Sequence, residues 1–92
     1  MAEDDAMPSV LAEHLQRVVT ASNEATRLLE MHLDRRNLIA ELLHRIRTIS
    51  EAADSARRSL VLEALDAGMS VRDTARAAGL GPATIQRWKS ER

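Results

Sequence analysis

Gly68-Met-Ser-Val-Arg-Asp-Thr-Ala-Arg-Ala-Ala-Gly79-Leu-Gly-Pro-Ala-Thr-Ile-Gln-Arg-Trp-Lys89 reads as two short helices joined by a tight turn. Gly68 ends the preceding helix, and Ser70 can cap a new one by accepting a bond from an orphan backbone N–H. Val71, Thr74, Ala75 and Ala78 fall three and four apart, so they share one helix face. Ala75 is small where a second helix must pass close by. Gly79 stands where the chain turns sharply and needs a positive φ, and Leu80 then drops into the core. Pro82 opens the next helix at a position where its missing N–H costs nothing. Ile85 and Trp88 make that helix's buried face, leaving Ala83, Thr84, Gln86, Arg87 and Lys89 or Ser90 facing out.

The pattern carried by Ser70, Ala75, Gly79, Leu80, Ile85 and Arg87-Trp88 resembles the bacterial helix-turn-helix, in its trihelical version from resolvases, invertases and small transcription regulators. The resemblance covers roughly residues 57–92. Two positions depart from it. Thr74 stands where such motifs carry Ile or Val, which implies looser packing there, and Gly81 replaces the usual capping Ser of the second helix. The resemblance implies a second helix lying in the major groove. On that helix Arg87 can pair bidentately with guanine and Gln86 with adenine. Thr84 would touch a thymine methyl or a phosphate and Ala83 would make an apolar contact, while Ser70, Arg72, Lys89 and Arg92 would grip phosphates and fix the register.

Composition agrees with an all-α chain. Of 92 residues 45% are hydrophobic, but Trp88 is the sole aromatic, and Gly and Pro total five; a core of Leu, Ala, Val, Ile and Met suits helices packed on helices. With no cysteine, neither a disulfide framework nor a thiolate metal site can form. His14, His32 and His44 have no metal-ligand spacing, so neither metal nor cofactor is expected. Catalysis finds no support either: there is no Gly-x-Ser-x-Gly turn, no Cys nucleophile and no Gly-rich phosphate loop. The acidic start (Glu3, Asp4, Asp5) is unlike a signal peptide, and no apolar run is long enough to span a bilayer. The expectation is a cytoplasmic, nucleoid-associated protein that is not an enzyme. The net charge of −1 conceals segregation: residues 57–92 hold seven Lys and Arg against four acids, whereas residues 1–56 hold six Arg against ten. The basic excess sits on the half with the motif.

Residues 1–8 are expected to be a disordered tail, 9–53 a helical dimerisation element, and 54–92 the DNA-binding domain. Pro8-Ser9 signals a helix start with Ser9 as cap and Glu13 in the first turn. Between Val10 and Ala67 there is neither Gly nor Pro, and one helix of that length would run about 87 Å. Leu11, Leu15, Val18, Ser22, Ala25, Leu29 and His32 step by four and three as a heptad-like seam, as do Ile39, Leu43, Ile46, Ser50 and Ala53. Asp34-Arg-Arg-Asn37 interrupts the register, which favours a break at 33–37 with Asn37 capping a helix over 38–50; a continuous helix is the alternative. Ser50–Ser55, polar and small, reads as a second hinge before a helix from 55 or 56 to 67. The seam has no obvious partner within the chain, so it points to a homodimer through Leu11, Leu15, Val18, Ala25, Leu29, Ile39, Leu43 and Ile46.

These features together indicate a small dimeric transcription regulator binding double-stranded DNA. A phage or plasmid DNA-packaging or partition subunit forming a higher oligomer is the second reading, and a helical protein–protein interaction module is the third.

Overall fold

The computed structural model describes residues 7–92, and among them every regular element is helical: α1 (Ser9–Leu28), α2 (Arg35–Asp66), α3 (Val71–Ala78) and α4 (Pro82–Glu91). Packing divides the chain into one unit ending at Ser55 and another starting at Ala56. The tail expected over 1–8 lies outside the described residues except for Met7 and Pro8.

The first unit is a helical hairpin of α1 and the N-terminal part of α2. Leu11, Ala21, Leu28 and Ala52 are its buried residues. Glu24 of α1 and Arg45 of α2 meet at 3.2 Å (Oε1 to Nε), and Arg45 also reaches Glu41 at 3.4 Å. Arg17 lines a shallow depression with Thr48, Glu51 and Ser55. As α1 advances from 17 to 24 its neighbours on α2 retreat from about 51 to 45, so the two helices run antiparallel.

Four sequence expectations change here. α1 is flanked by Pro8 rather than capped by Ser9, has no side-chain cap bond and carries no acid in its first turn, so Glu13 lies beyond it. The chain turns over 29–34 instead of 33–37: α1 ends at Leu28, and the amides of Glu30 and Met31 bond to the carbonyls of Arg27 and Leu28 in tighter, 3₁₀-like turns. α2 then starts before Asn37, because the Asp34 carbonyl already accepts the Leu38 N–H at 2.9 Å; Asp34 is as good a capping residue as Asn37 and comes first. The hinge at Ser50–Ser55 is absent, since α2 runs unbroken through it. Ser, Asp and Glu leave a helix only when offered a better local bond, and Ala52 and Ala56 are 2% and 4% exposed, so close packing holds this stretch helical.

The seam is also divided. Leu11 is buried and Val18 and Ala25 half-buried within the hairpin, whereas Leu15, Leu29, Ile39, Leu43 and Ile46 are exposed. α1 therefore has its partner inside the chain, contrary to expectation. His32 lies exposed in the connection and packs on no seam.

The second unit comprises the end of α2 with α3 and α4. Val61, Ala75 and Ile85 form its buried centre, and Leu65, Val71, Ala78, Leu80 and Trp88 close around it. Its two turns use the same device. After α2 the Met69 N–H reaches the Ala64 carbonyl at 3.0 Å and the Gly68 N–H reaches that of Leu65 at 3.1 Å; after α3 Leu80 bonds to Ala75 at 3.0 Å and Gly79 to Arg76 at 3.4 Å. Each is a six-to-one bond enclosing a five-to-two bond, the Schellman arrangement, which needs a left-handed residue. Gly68 and Gly79 supply it, with φ of 94° and 70°.

Thr74 departs from the expected looser packing. It is 2% exposed, and its hydroxyl has no hydrogen-bond partner among the described residues. The cost at this position is a stranded polar group rather than an opening. Thr74→Val keeps the shape and removes the hydroxyl, so it should stabilise the unit by about 1–2 kcal/mol. Urea denaturation followed by Trp88 fluorescence checks this; a midpoint unchanged or lowered would mean that the hydroxyl is satisfied.

Candidate nucleic-acid interface

The geometry of α3 and α4 follows from their ends. Ser70 caps α3, its Oγ accepting the Asp73 N–H at 3.0 Å, and its carbonyl accepts the Thr74 N–H at 2.9 Å. Ser70 Oγ is thereby engaged in the fold as well as exposed at the surface. α4 begins at Pro82 behind Gly81, which has extended backbone and offers no side-chain cap. Ile85, fully buried at 0%, fixes the rotation of α4 about its axis. At about 100° per residue, this turns Ala83, Gln86, Arg87 and Ser90 away from the core together, and all four are exposed. Lys89 is exposed on one flank. Thr84 is half-buried on the other, so its side chain is less available than the sequence pattern implies. The Ser90 hydroxyl donates back to the Gln86 carbonyl at 3.0 Å and does not tie up the Gln86 amide.

The cations of this unit fall into two groups. One is committed to the fold. Arg58 lies over the Trp88 ring at 5.2 Å from its centre and pairs with Glu91 at 2.8 Å; Arg92 pairs with Asp66 at 2.7 Å; Arg57 donates to the Ala78 carbonyl at 3.4 Å, where a cation also offsets the negative end of α3. Arg92, expected at a phosphate, is thus held by a carboxylate. The other group consists of Arg72 and Arg76 on α3 and Arg87 and Lys89 on α4, exposed and without an ion pair among the described residues. Arg76 was not among the candidates from sequence. Its signal is the four-residue step from Arg72, which puts the two side chains on one outer face of α3.

Glu91 and Asp66 neutralise Arg58 and Arg92, and the exposed cations of this unit that remain lie on the two helices of the turn. No group of His, Asp or Glu among the described residues is arranged to hold a metal ion, and no described helix is long and apolar enough to cross a membrane.

Comparison with curated proteins and with solved structures finds no match to the chain. A family model described as a helix-turn-helix domain matches residues 56–92, the same stretch that packs around Val61, Ala75 and Ile85. Residues 56–92 are a helix-turn-helix domain, and that domain supports a DNA-binding protein.

Proposed function

We propose that the chain is a sequence-specific DNA-binding protein, a small dimeric bacterial transcription regulator that reads the major groove with α4. The observation that carries the reading is the outward face of α4. Arg87 and Gln86, whose donor and acceptor groups match guanine and adenine edges, stand exposed on a helix whose rotation is fixed by a fully buried Ile85. Ala83 lies on the same face, and Thr84 and Lys89 flank it. Arg72, Arg76 and Lys89 surround that face with positive charge suited to phosphates; Ser70, beside Arg72, adds a hydroxyl. Arg92 contributes only when it leaves Asp66. Such a protein works in the cytoplasm, at the nucleoid. Two protomers related by a two-fold axis would meet successive major grooves about 34 Å apart, which calls for a palindromic or repeated site.

Selection of enriched duplexes from a random pool, followed by anisotropy across a salt series, tests the reading. Three phosphate contacts per protomer, from Arg72, Arg76 and Lys89, predict a slope of log K against log salt of about −5 for a dimer. Absence of any enriched sequence from folded protein at low salt overturns the reading and favours a protein-interaction module.

A further inference from the structure

Helical geometry gives the hairpin two unlike sides. At about 100° per residue, Leu15 and Val19 lie about a quarter turn from the buried line of α1 (Leu11, Val18, Ala21). On α2, Ile39 and Ile46 lie about a third of a turn, and Leu43 nearer half a turn, from the line facing α1 (Leu38, Arg45, Ala52), in the same rotational sense along the chain. Because the helices are antiparallel, rotations in the same sense bring both sets to one side, with Leu43 at its outer edge. All five residues are exposed, Val19 by 49% and Ile46 by 53%. The opposite side carries Glu13, Arg17 and Glu24 of α1 beside Thr48 of α2, together with the Glu24–Arg45 pair. One side of the hairpin is polar and ion-paired; the other is a strip of aliphatic side chains with Ser22 and Ser50 between them, its one charge on the α2 side being Arg35 at the end where α2 begins.

We propose that the apolar side is the dimer interface, stacked face to face on the same side of a second copy to complete a four-helix bundle. The inference deepens the dimeric part of the function above by naming its surface, and it holds whether or not α4 reads DNA. The size of the face selects a second copy. Twenty residues of α1 at about 1.5 Å rise, beside a helix about 10 Å away, make a surface of about 600 Å², close to the 800 Å² or so that each partner buries in a stable complex. A two-helix layer is half of a four-helix bundle, and an identical layer supplies the other half with matching length and chemistry. Away from Arg35 at its end, the strip carries no charge and meets its own copy without burying like charges. The interface so assigned contains Leu15, Val19, Ile39 and Ile46 with Leu43 at its edge, whereas Leu11, Val18 and Ala25 serve the hairpin itself and Leu29 follows the end of α1 on the line of Leu11.

Sedimentation equilibrium of the full chain provides the test, against a protomer mass of 10.2 kDa. Wild type is expected at twice that mass. Ile46→Glu is expected at the protomer mass with unchanged helical circular dichroism, because the residue is exposed in the protomer. Gln16→Glu, off the apolar strip, is expected to remain dimeric, and so controls for added charge. Should Ile46→Glu lose its helical signal, Ile46→Ser replaces it as the gentler probe, with the dimer constant expected to weaken at least tenfold. A monomeric wild type at 100 μM, a dimeric Ile46→Glu, a dimer constant unchanged in Ile46→Ser, or an assembly larger than a dimer each overturns the proposal. Binding of Ile46→Glu to a single enriched half-site, measured separately, reports on the DNA reading alone.

Discussion

Ile85→Ala is expected to unfold the helix-turn-helix unit at 25 °C. Ile85 is the fully buried side chain at the centre of a core whose other buried members are Val61 and Ala75. Truncating a buried Ile costs about 2–5 kcal/mol when the surroundings cannot collapse into the gap. A unit of this size holds only about 3–5 kcal/mol in all, so the loss consumes most or all of it. Ala75 cannot fill the space, and Leu65 and Leu80 are fixed at their own places by helix ends. Trp88, the chain's single aromatic residue, borders the cluster and reports on this unit specifically. The expected result is a red-shifted Trp88 emission in Ile85→Ala without denaturant, with most of the helical signal of the hairpin retained. A variant with wild-type emission and only a slightly lowered midpoint would show that the core tolerates the cavity.

Arg87→Ala is expected to lower affinity for the enriched site by about 5- to 150-fold, the equivalent of the 1–3 kcal/mol carried by one bidentate base contact, while leaving affinity for random duplex within about threefold. Arg72→Ala gives the contrasting result: weaker binding to both duplexes in similar proportion, and a salt slope reduced by about one per protomer. The pair separates base reading from phosphate grip. Equal losses on specific and random DNA for Arg87→Ala would move Arg87 to the backbone and leave Gln86 as the reader. Circular dichroism and Trp88 emission of both variants should match wild type, since both side chains are exposed.

The turn and the trihelical core were legible because each of their positions has a short-range physical cause. Ser70 caps because its hydroxyl meets an amide three residues on, Gly68 and Gly79 stand where the backbone becomes left-handed, and Ile85 and Trp88 share a face by helical spacing alone. The hairpin was less legible. Val10–Ala67 has no Gly or Pro, so its turn is written only in Asp34 and in which apolar residues find each other, a tertiary matter. The heptad step merged two faces, one buried inside the chain and one exposed, because seams a quarter turn apart share many three- and four-residue spacings. The hinge at Ser50–Ser55 failed for a related reason: small polar residues mark a break in isolation and a close approach when Ala52 and Ala56 are covered. At the candidate interface, sequence spacing placed Gln86 and Arg87 on the outer face of α4, but it could not show that Arg92 and Arg58 are taken by Asp66, Glu91 and Trp88. Partners this far apart in the chain are not visible in local pattern.

The two glycines that end α2 and α3 impose an unusual kind of constraint. A Cβ at Gly79 would meet nothing within 4 Å, so the site has ample room, and yet a left-handed backbone at φ 70° penalises L-residues by about 1–2 kcal/mol. The turn is therefore selective for handedness and indifferent to bulk. Asn, which visits this region with a local side-chain bond, is the natural second choice there, and β-branched residues the worst, although size alone would rank them otherwise. A helix-turn-helix drawn from this chain can vary the outside of its turn widely in volume, provided that the chirality of two Cα positions is respected.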